Sequence, residues 1–292
     1  MQPPAIDHLV LVVPNLEAAA EPFERLGLSL TPRMEHAGAG TANRAIFVGS
    51  ERGHFYLELL TIHDRNLAAE GAAAPYLPAF DAGGGVSRLI FATTGMGTLV
   101  GSLTDAGFAV HTRDVHRDDG STIATVCDIE ADAPAPSSVG LIQYIIEEGE
   151  RYASRSGRGL FDHAFPLERL DHLALIPGDP AMAERFFTAH LGLPLAGQVE
   201  TPAMTIRQLQ AGDAILELLV PSGPESPIAA RPKGLVPMFA CEVPSLDQAV
   251  ETARQRGFAP SDPADGVLPG TRTATIPPGE LSGIGLQLLE YV

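Results

Sequence analysis

The sequence predicts an α+β protein assembled from four βαβββ modules. Three observations carry that prediction. A short apolar strand runs four times into a helix that stops at a glycine. A later strand with Glu or Gln at one point closes each copy. The spacing of about 80 residues is too long for a solenoid repeat and suits a compact supersecondary unit. The first copy opens at Ile6-Asp7-His8-Leu9-Val10-Leu11-Val12-Val13, and its helix ends at Leu26-Gly27-Leu28. Val13 and Gly27 recur without a gap as Val243 and Gly257 in the fourth copy, where Met238 takes the place of His8. In the second copy His8 falls on Arg88 and Gly27 on Gly107. In the third, His8 falls on His172, and Gly27 falls on Gly192 after one extra residue.

Each element of the module has a local reason. His8, Val10 and Val12 alternate with Leu9, Leu11 and Val13, which is the period of a strand. Asn15 then stands where a helix N-cap belongs, and Ser245 does so in copy four. Copy three has Asp179 as cap and Pro180 at the first helical position, where a missing N–H costs nothing. Copy two has only Gly95 there. Ala19, Phe23 and Leu26 form the buried stripe of the first helix, and the terminal glycine supplies the left-handed C′ conformation. Arg44 to Val48 is a candidate strand, and Phe55-Tyr56-Leu57-Glu58-Leu59-Leu60 closes the module with Tyr56, Glu58 and Leu60 on one face. The matching closes are Leu141 to Ile146 with Gln143, Ala214 to Leu219 with Glu217, and Leu286 to Glu290 with Gln287. The polar, glycine-rich stretch Gly149 to Gly159 reads as a linker, giving domains at 1–148 and 165–292.

Composition excludes several functions. The chain has 292 residues, 45% of them hydrophobic, enough for two domains with full cores. A formal net charge of −17 argues against nucleic acid and against an anionic membrane surface. Lys233 is the single lysine, and the wealth of Ala, Gly and Pro is that of high-GC bacterial coding. Cys127 and Cys241 show no paired spacing and read as buried thiols of a reducing cytoplasm. No charged-then-apolar leader opens the chain, and no apolar run approaches about 18 residues. A soluble cytoplasmic protein is the expectation. The polar run His111-Thr112-Arg113-Asp114-Val115-His116 reads as a loop or strand edge.

The opening with Asp7-His8-Leu9, Val13-Pro14, Leu16, Phe23 and Leu26-Gly27, with the close Tyr56-Leu57-Glu58-Leu59-Leu60, resembles the vicinal oxygen chelate superfamily. That superfamily includes glyoxalase I, bleomycin- and fosfomycin-resistance proteins and extradiol dioxygenases. The run His36-Ala37-Gly38-Ala39-Gly40-Thr41-Ala42-Asn43-Arg44 makes the N-terminal half similar to the glyoxalase-like domain family. The resemblance implies that modules pair into half-open barrels, here two half-barrel domains. It also implies metal ligands at the start of the first strand and the middle of the last. Carried over by position, these are His8 and Glu58 in module one and His172 and Glu217 in module three. Modules two and four offer Arg88 with Gln143 and Met238 with Gln287.

Imidazole and carboxylate suit Zn²⁺, Fe²⁺, Mn²⁺ or Ni²⁺, whereas Arg cannot ligate and Met and Gln are poor ligands for such ions. Pairing one with two and three with four, or one with four and two with three, leaves one His and one Glu per site. Only pairing one with three would collect His8, Glu58, His172 and Glu217. Sequential pairing is the expectation, with the divalent metal left open between present and absent. An extradiol dioxygenase is not expected on either half. The resemblance implies a glyoxalase-like isomerase or lyase acting on a small carbonyl or vicinal-oxygen substrate. Glu58 or Glu217 would shuttle the proton, and Thr41, Asn43, Arg88 and Gln143 would contact the substrate. The alternative is a metal-free protein of the bleomycin-resistance type that sequesters a small molecule; a third is a silent assembly module. A small molecule is the expected partner, with a homodimer as the open assembly. The N-terminal half is expected to hold the more polar cavity.

Overall fold

In the computed structural model residues 2–36, 38–116, 120–130 and 139–292 are described. Ala37 of the glycine-rich run lies outside them. Module one comprises β1 (Ala5–Val12), α1 (Leu16–Leu26), β2 (Met34–His36), β3 (Thr41–Ser50) and β4 (Gly53–Ile62). Helices α2 (Arg65–Glu70) and α3 (Leu77–Asp81) follow it. Module two comprises β5 (Gly85–Ala92), α4 (Met96–Asp105), β6 (Val110–His116), β7 (Thr122–Ile129) and β8 (Val139–Tyr144), with α5 (Glu148–Ser156) after it. Module three comprises β9 (Arg169–Ile176), α6 (Pro180–Arg185), β10 (Leu195–Glu200), β11 (Met204–Ala211) and β12 (Ala214–Pro221). Module four comprises β13 (Gly234–Glu242), α7 (Leu246–Gln255), β14 (Ala264–Asp265), β15 (Thr271–Ile276) and β16 (Gly285–Tyr291).

The strands form two curled half-barrel sheets of eight, ordered β2-β3-β4-β1-β5-β8-β7-β6 and β10-β11-β12-β9-β13-β16-β15-β14. Modules one and two share the first sheet, and modules three and four the second. The His111 to His116 run is the edge strand β6, where exposed polar residues blunt an unpaired edge.

The helix ends behave as their residues dictate. Asn15, Asp179 and Ser245 accept from the backbone N–H three residues on, and Gly95 offers no side-chain cap. Gly27 stands at φ 93°, and a β-carbon there would also collide with the Arg256 guanidinium, which donates to Leu26 O at 2.5 Å. The extra residue in the third copy has a structural cause. Its helix passes from α6 into a π-helical turn, Phe186–His190, in which Leu191 N–H reaches back five residues to Phe186 O. A π turn absorbs one inserted residue without breaking the helix.

Contacts cluster the chain into two compact units, each with one module from each half. One holds His8–Ser87, Glu148–Asp171 and Pro237–Val292. Within it α1 and α7 meet through reciprocal arginines: Arg256 bonds Leu26 O at the end of α1, and Arg25 lies 4.4 Å over Phe258 just beyond α7. The other holds Met1–Asp7, Arg88–Glu147 and His172–Val236. In it Phe108, just beyond α4, packs against Phe186 of the π-helical turn, and Phe91 of β5 packs against Phe187.

The sequence reads Gly149 to Gly159 as a linker; the structure makes most of it α5. Its glycines fall in the first turn and just past the end, where a helix tolerates them. Tyr152 packs on Phe161 at 4.7 Å, and Arg155 lies over Phe47 and Tyr56. The strap formed by α5 and residues 160–165 is tied down by His163, whose Nδ1 accepts from Ser29 N–H at 3.0 Å while Nε2–H donates to Phe47 O at 2.7 Å. Burial lowers the His163 pKa below its ordinary 6.5. The unfolded chain therefore takes the proton first, so stability is held above about pH 6.5 and falls as acid approaches the depressed value. Replacing His163 by Ala strands two polar groups, an expected loss of about 1–3 kcal/mol at pH 7.5. Urea unfolding should show the gap between wild type and variant shrinking toward pH 5.

Candidate functional site

The antiparallel pairing of β3 with β4 sets Ala45 opposite Glu58 and Asn43 opposite Leu60, and the parallel pairing of β1 with β4 sets His8 beside Tyr56. Period-two alternation then puts His8, Val10, Asn43, Ala45, Phe47, Tyr56, Glu58 and Leu60 on one face. Leu9, Leu11, Leu57 and Leu59, each 1% exposed or less, face the other way. The first face is the concave one of module one. Its ends are apolar: Val10, Val12 and Leu60 pack on Tyr76, Ala79 and Phe80 from the α3 segment. Ala45, Phe47 and Tyr56 pack on Leu160 and Phe161 from the strap.

Between these ends lies a polar constellation. His8 Nε2 is 3.6 Å from Glu58 Oε2, and Asn43 Nδ2 donates to Glu58 Oε1 at 2.5 Å. The His8 ring stacks on Tyr56 at 4.4 Å and 18°, which sets its plane. His8, Asn43 and Glu58 are each 7% exposed, so the carboxylate has exchanged water for the amide donor and the imidazole. Thr41 is buried at the start of β3, with its hydroxyl 2.8 Å from His36 Nδ1.

Module three repeats the arrangement. His172 Nε2 is 3.9 Å from Glu217 Oε2, and Gln208 Nε2 donates to Glu217 Oε1 at 3.0 Å. Gln208 stands directly opposite Glu217. The sequence reading missed it, although counting outward from the two-residue Gly212-Asp213 turn reaches this pair. Tyr56 and Arg155 were missed as site neighbours too, because stacking on His8 or on the concave face leaves no motif.

Modules two and four differ. In module four Gln287 is level with Ala240, as Glu58 is with Val10 and Glu217 with Ala174. In module two the residue level with Ile90 is Gly140, not Gln143. The alignment of Gln143 with Glu58 is therefore corrected by three residues. Arg88 occupies the space that a side chain at 140 would need, its Nη2 3.0 Å from where a β-carbon would lie. The Arg88 guanidinium forms a buried ion pair with Asp128, so its charge is met inside module two. Gln143 faces the helix side and accepts from Met96 N–H at 2.9 Å. It supplies the cap that Gly95 lacks.

The donor set decides how well a divalent metal fits. Each odd-numbered module offers one imidazole and one carboxylate, with Asn43 or Gln208 already bonded to the latter. The level positions in modules two and four are Arg88, Gly140, Met238 and Gln287, none a good ligand for Zn²⁺, Fe²⁺, Mn²⁺ or Ni²⁺. Among the described residues no group of three or more His, Cys, Asp or Glu is placed to hold a metal ion. A glyoxalase-type site of four ligands does not fit these residues. Both cysteines are buried and free; burial pushes the Cys127 thiol up to about 11 and raises that of Cys241 as well, so neither is a thiolate at neutral pH.

Two curled sheets built from βαβββ modules, with His and Glu on their concave faces, define the glyoxalase/bleomycin resistance/dioxygenase class. The chain belongs to the glyoxalase-like domain family, whose model matches residues 6–156; the model for the glyoxalase/bleomycin resistance protein/dioxygenase superfamily matches residues 169–279. Comparison with curated proteins gave no significant match. Among solved structures, a mutant 4-hydroxymandelate synthase from Streptomyces coelicolor is similar at 14% identity, TM-score 0.67, covering 100% of this chain and 93% of that one. A hypothetical protein from Staphylococcus aureus matches at 11% identity, TM-score 0.66, over 98% of both chains. The 2,2',3-trihydroxybiphenyl 1,2-dioxygenase of Sphingomonas wittichii matches at 15% identity, TM-score 0.61, over 99% and 91%. At these identities the likeness is one of fold. Among the described residues no helix is long and apolar enough to cross a membrane.

The role of Gln143 is open to a direct test. Gln143→Leu keeps the volume and removes the acceptor at the start of α4. A loss of about 1 kcal/mol is expected, as for other helix caps, read as a lower urea midpoint with an unchanged slope.

Proposed function

We propose that the chain is a glyoxalase-like enzyme that moves a proton on a small carbonyl compound, with Glu58 as the proton shuttle. The observation that supports this is the Glu58 carboxylate, buried and gripped on one oxygen by Asn43. That grip fixes the group and directs Oε2 toward a bound substrate. In this reading Oε2 takes the proton from the carbon next to the substrate carbonyl, and the C–H electron pair moves onto the carbonyl oxygen. His8, with its ring plane set by Tyr56, is the donor that stabilises the resulting enolate. Returning the proton from Glu58 to a neighbouring atom completes an isomerisation. Expelling a group from the adjacent carbon instead completes a lyase reaction. Neither outcome needs an oxidant or a co-reactant.

Thr41 and Asn43 are the substrate-facing residues in this proposal, and Arg88 and Gln143 serve module two. Glu217 with His172 and Gln208 is a second copy of the same chemistry. The apolar cover at both ends of the module-one face favours one other reading, a binding protein that sequesters a small molecule without changing it.

Incubation in D₂O with a panel of small ketones, hydroxyketones and thioesters, followed by proton NMR, separates these readings. Enzyme-dependent deuterium uptake next to a carbonyl is expected, falling about 10²-fold or more in Glu58→Gln while the fold is retained. Uptake surviving in Glu58→Gln and lost in Glu217→Gln would move the active site to module three. Saturable binding of a panel member with no uptake by the wild type would support sequestration.

A further inference from the structure

The module-one site holds a buried acceptor with nothing to accept. Asn43 spends Nδ2 on Glu58 Oε1 at 2.5 Å, and this fixes the amide, since turning it over would set Oδ1 against a carboxylate oxygen. Oδ1 is then buried without any hydrogen-bond partner, in a side chain that is 7% exposed. A buried acceptor of this kind is costly unless a donor reaches it. On the same face, the His8 nitrogen lies 3.6 Å from Glu58 Oε2, beyond hydrogen-bonding distance. Besides the His8 imidazole, the polar atoms offered here, Asn43 Oδ1 and Glu58 Oε2, are acceptors.

The nearby cations are engaged elsewhere. The Arg155 guanidinium stacks 4.5 Å over Phe47, lies 5.7 Å from the Tyr56 ring centre and donates to His54 Nε2. Arg44 points toward α1, where it pairs with Glu17 and Glu24. The chain as a whole carries −17. An incoming carboxylate or phosphate would therefore meet a carboxylate and an amide oxygen, with the His8 imidazole as the one donor this face offers among the described residues.

We propose that this site selects its ligand by hydrogen-bond donors: a small alcohol or protonated amine, with one donor on Asn43 Oδ1 and another toward Glu58 Oε2. The proposal rests on the same site as the proton-transfer reading and narrows its substrate to a hydroxy- or amino-carbonyl compound.

The chain has three asparagines, Asn15, Asn43 and Asn66, so labelling with ¹⁵N-asparagine yields three side-chain amide signals. The full-length protein is titrated separately with glycerol, ethanolamine, acetate and inorganic phosphate. The expected result is a saturable shift of the Asn43 amide with glycerol, ethanolamine or both, while Asn15 and Asn66 stay in place. Half-saturation should come at least about tenfold lower than for either anion. A response to glycerol alone identifies the donor as a hydroxyl, and one to ethanolamine with none to glycerol identifies it as an ammonium. The proposal is overturned if acetate or phosphate moves Asn43 as readily as the donors do. It is equally overturned if no probe moves it, which would mean that solvent alone fills the acceptor. Failure here leaves the D₂O exchange of Glu58 untouched. Conversely, loss of that exchange with a retained Asn43 response would sink the proton-transfer reading alone.

Discussion

A part-buried tyrosine–aspartate hydrogen bond is made twice, once in each compact unit. Tyr144 OH donates to Asp7 Oδ2 at 2.9 Å, and Tyr291 OH donates to Asp171 Oδ2 at 2.7 Å. Asp7 and Asp171 are 3% and 5% exposed, and burial pushes the Tyr291 hydroxyl up to about 12. A buried carboxylate left without its donor is costly, whereas a hydrogen bond to a charged group stabilises by about 1.5–3 kcal/mol. Each bond joins the last strand of an even-numbered module to the first strand of the module before it. The aspartates precede His8 and His172 directly, so aspartate and histidine are neighbours on opposite faces of one strand.

That choice of partner governs the chemistry. His8 and Glu58 stand in the same eight-stranded sheet as Arg88 and Gly140, and His172 and Glu217 stand in the other. Arg88 fills the space over Gly140 and neutralises Asp128, and Gln143 holds the start of α4. The odd-numbered modules keep a carboxylate, an imidazole and an amide. Asn43 and Gln208 come from different positions on the neighbouring strand yet make the same bond, so the carboxylate is gripped in both places by different side chains.

Much of the fold was legible because strand alternation, N-caps and C-terminal glycines are local signals. The caps Asn15, Asp179 and Ser245 are where the sequence places them, and the one-residue slip before Gly192 is the signature of the π turn. Register was harder to read. In Leu141-Ile142-Gln143-Tyr144 a polar residue marks the strand but not its level, and the true counterpart of Glu58 is a glycine with no polar signature. Helix α5 was hidden by its glycines and charge, because what orders it is packing on Phe47 and Tyr56, a contact between residues about a hundred positions apart. Within the site, His8 and Glu58 come from the family resemblance, and strand alternation sets them on one face. The grip of Asn43, the stacking of Tyr56 and the pairing of Gln208 need the third dimension.

The central claim is that each odd-numbered module holds its own His–Glu–amide constellation, with too few good donors beside it for a tightly held divalent ion. Metal content of protein purified without an affinity tag tests it most directly, by elemental mass spectrometry of wild type, Glu58→Gln and Glu217→Gln after dialysis against micromolar Zn²⁺, Mn²⁺ or Ni²⁺. The account expects well below one tightly held ion per chain in all three proteins. One ion per chain in the wild type, lost equally in both variants, would mean that modules one and three share a site and would contradict it.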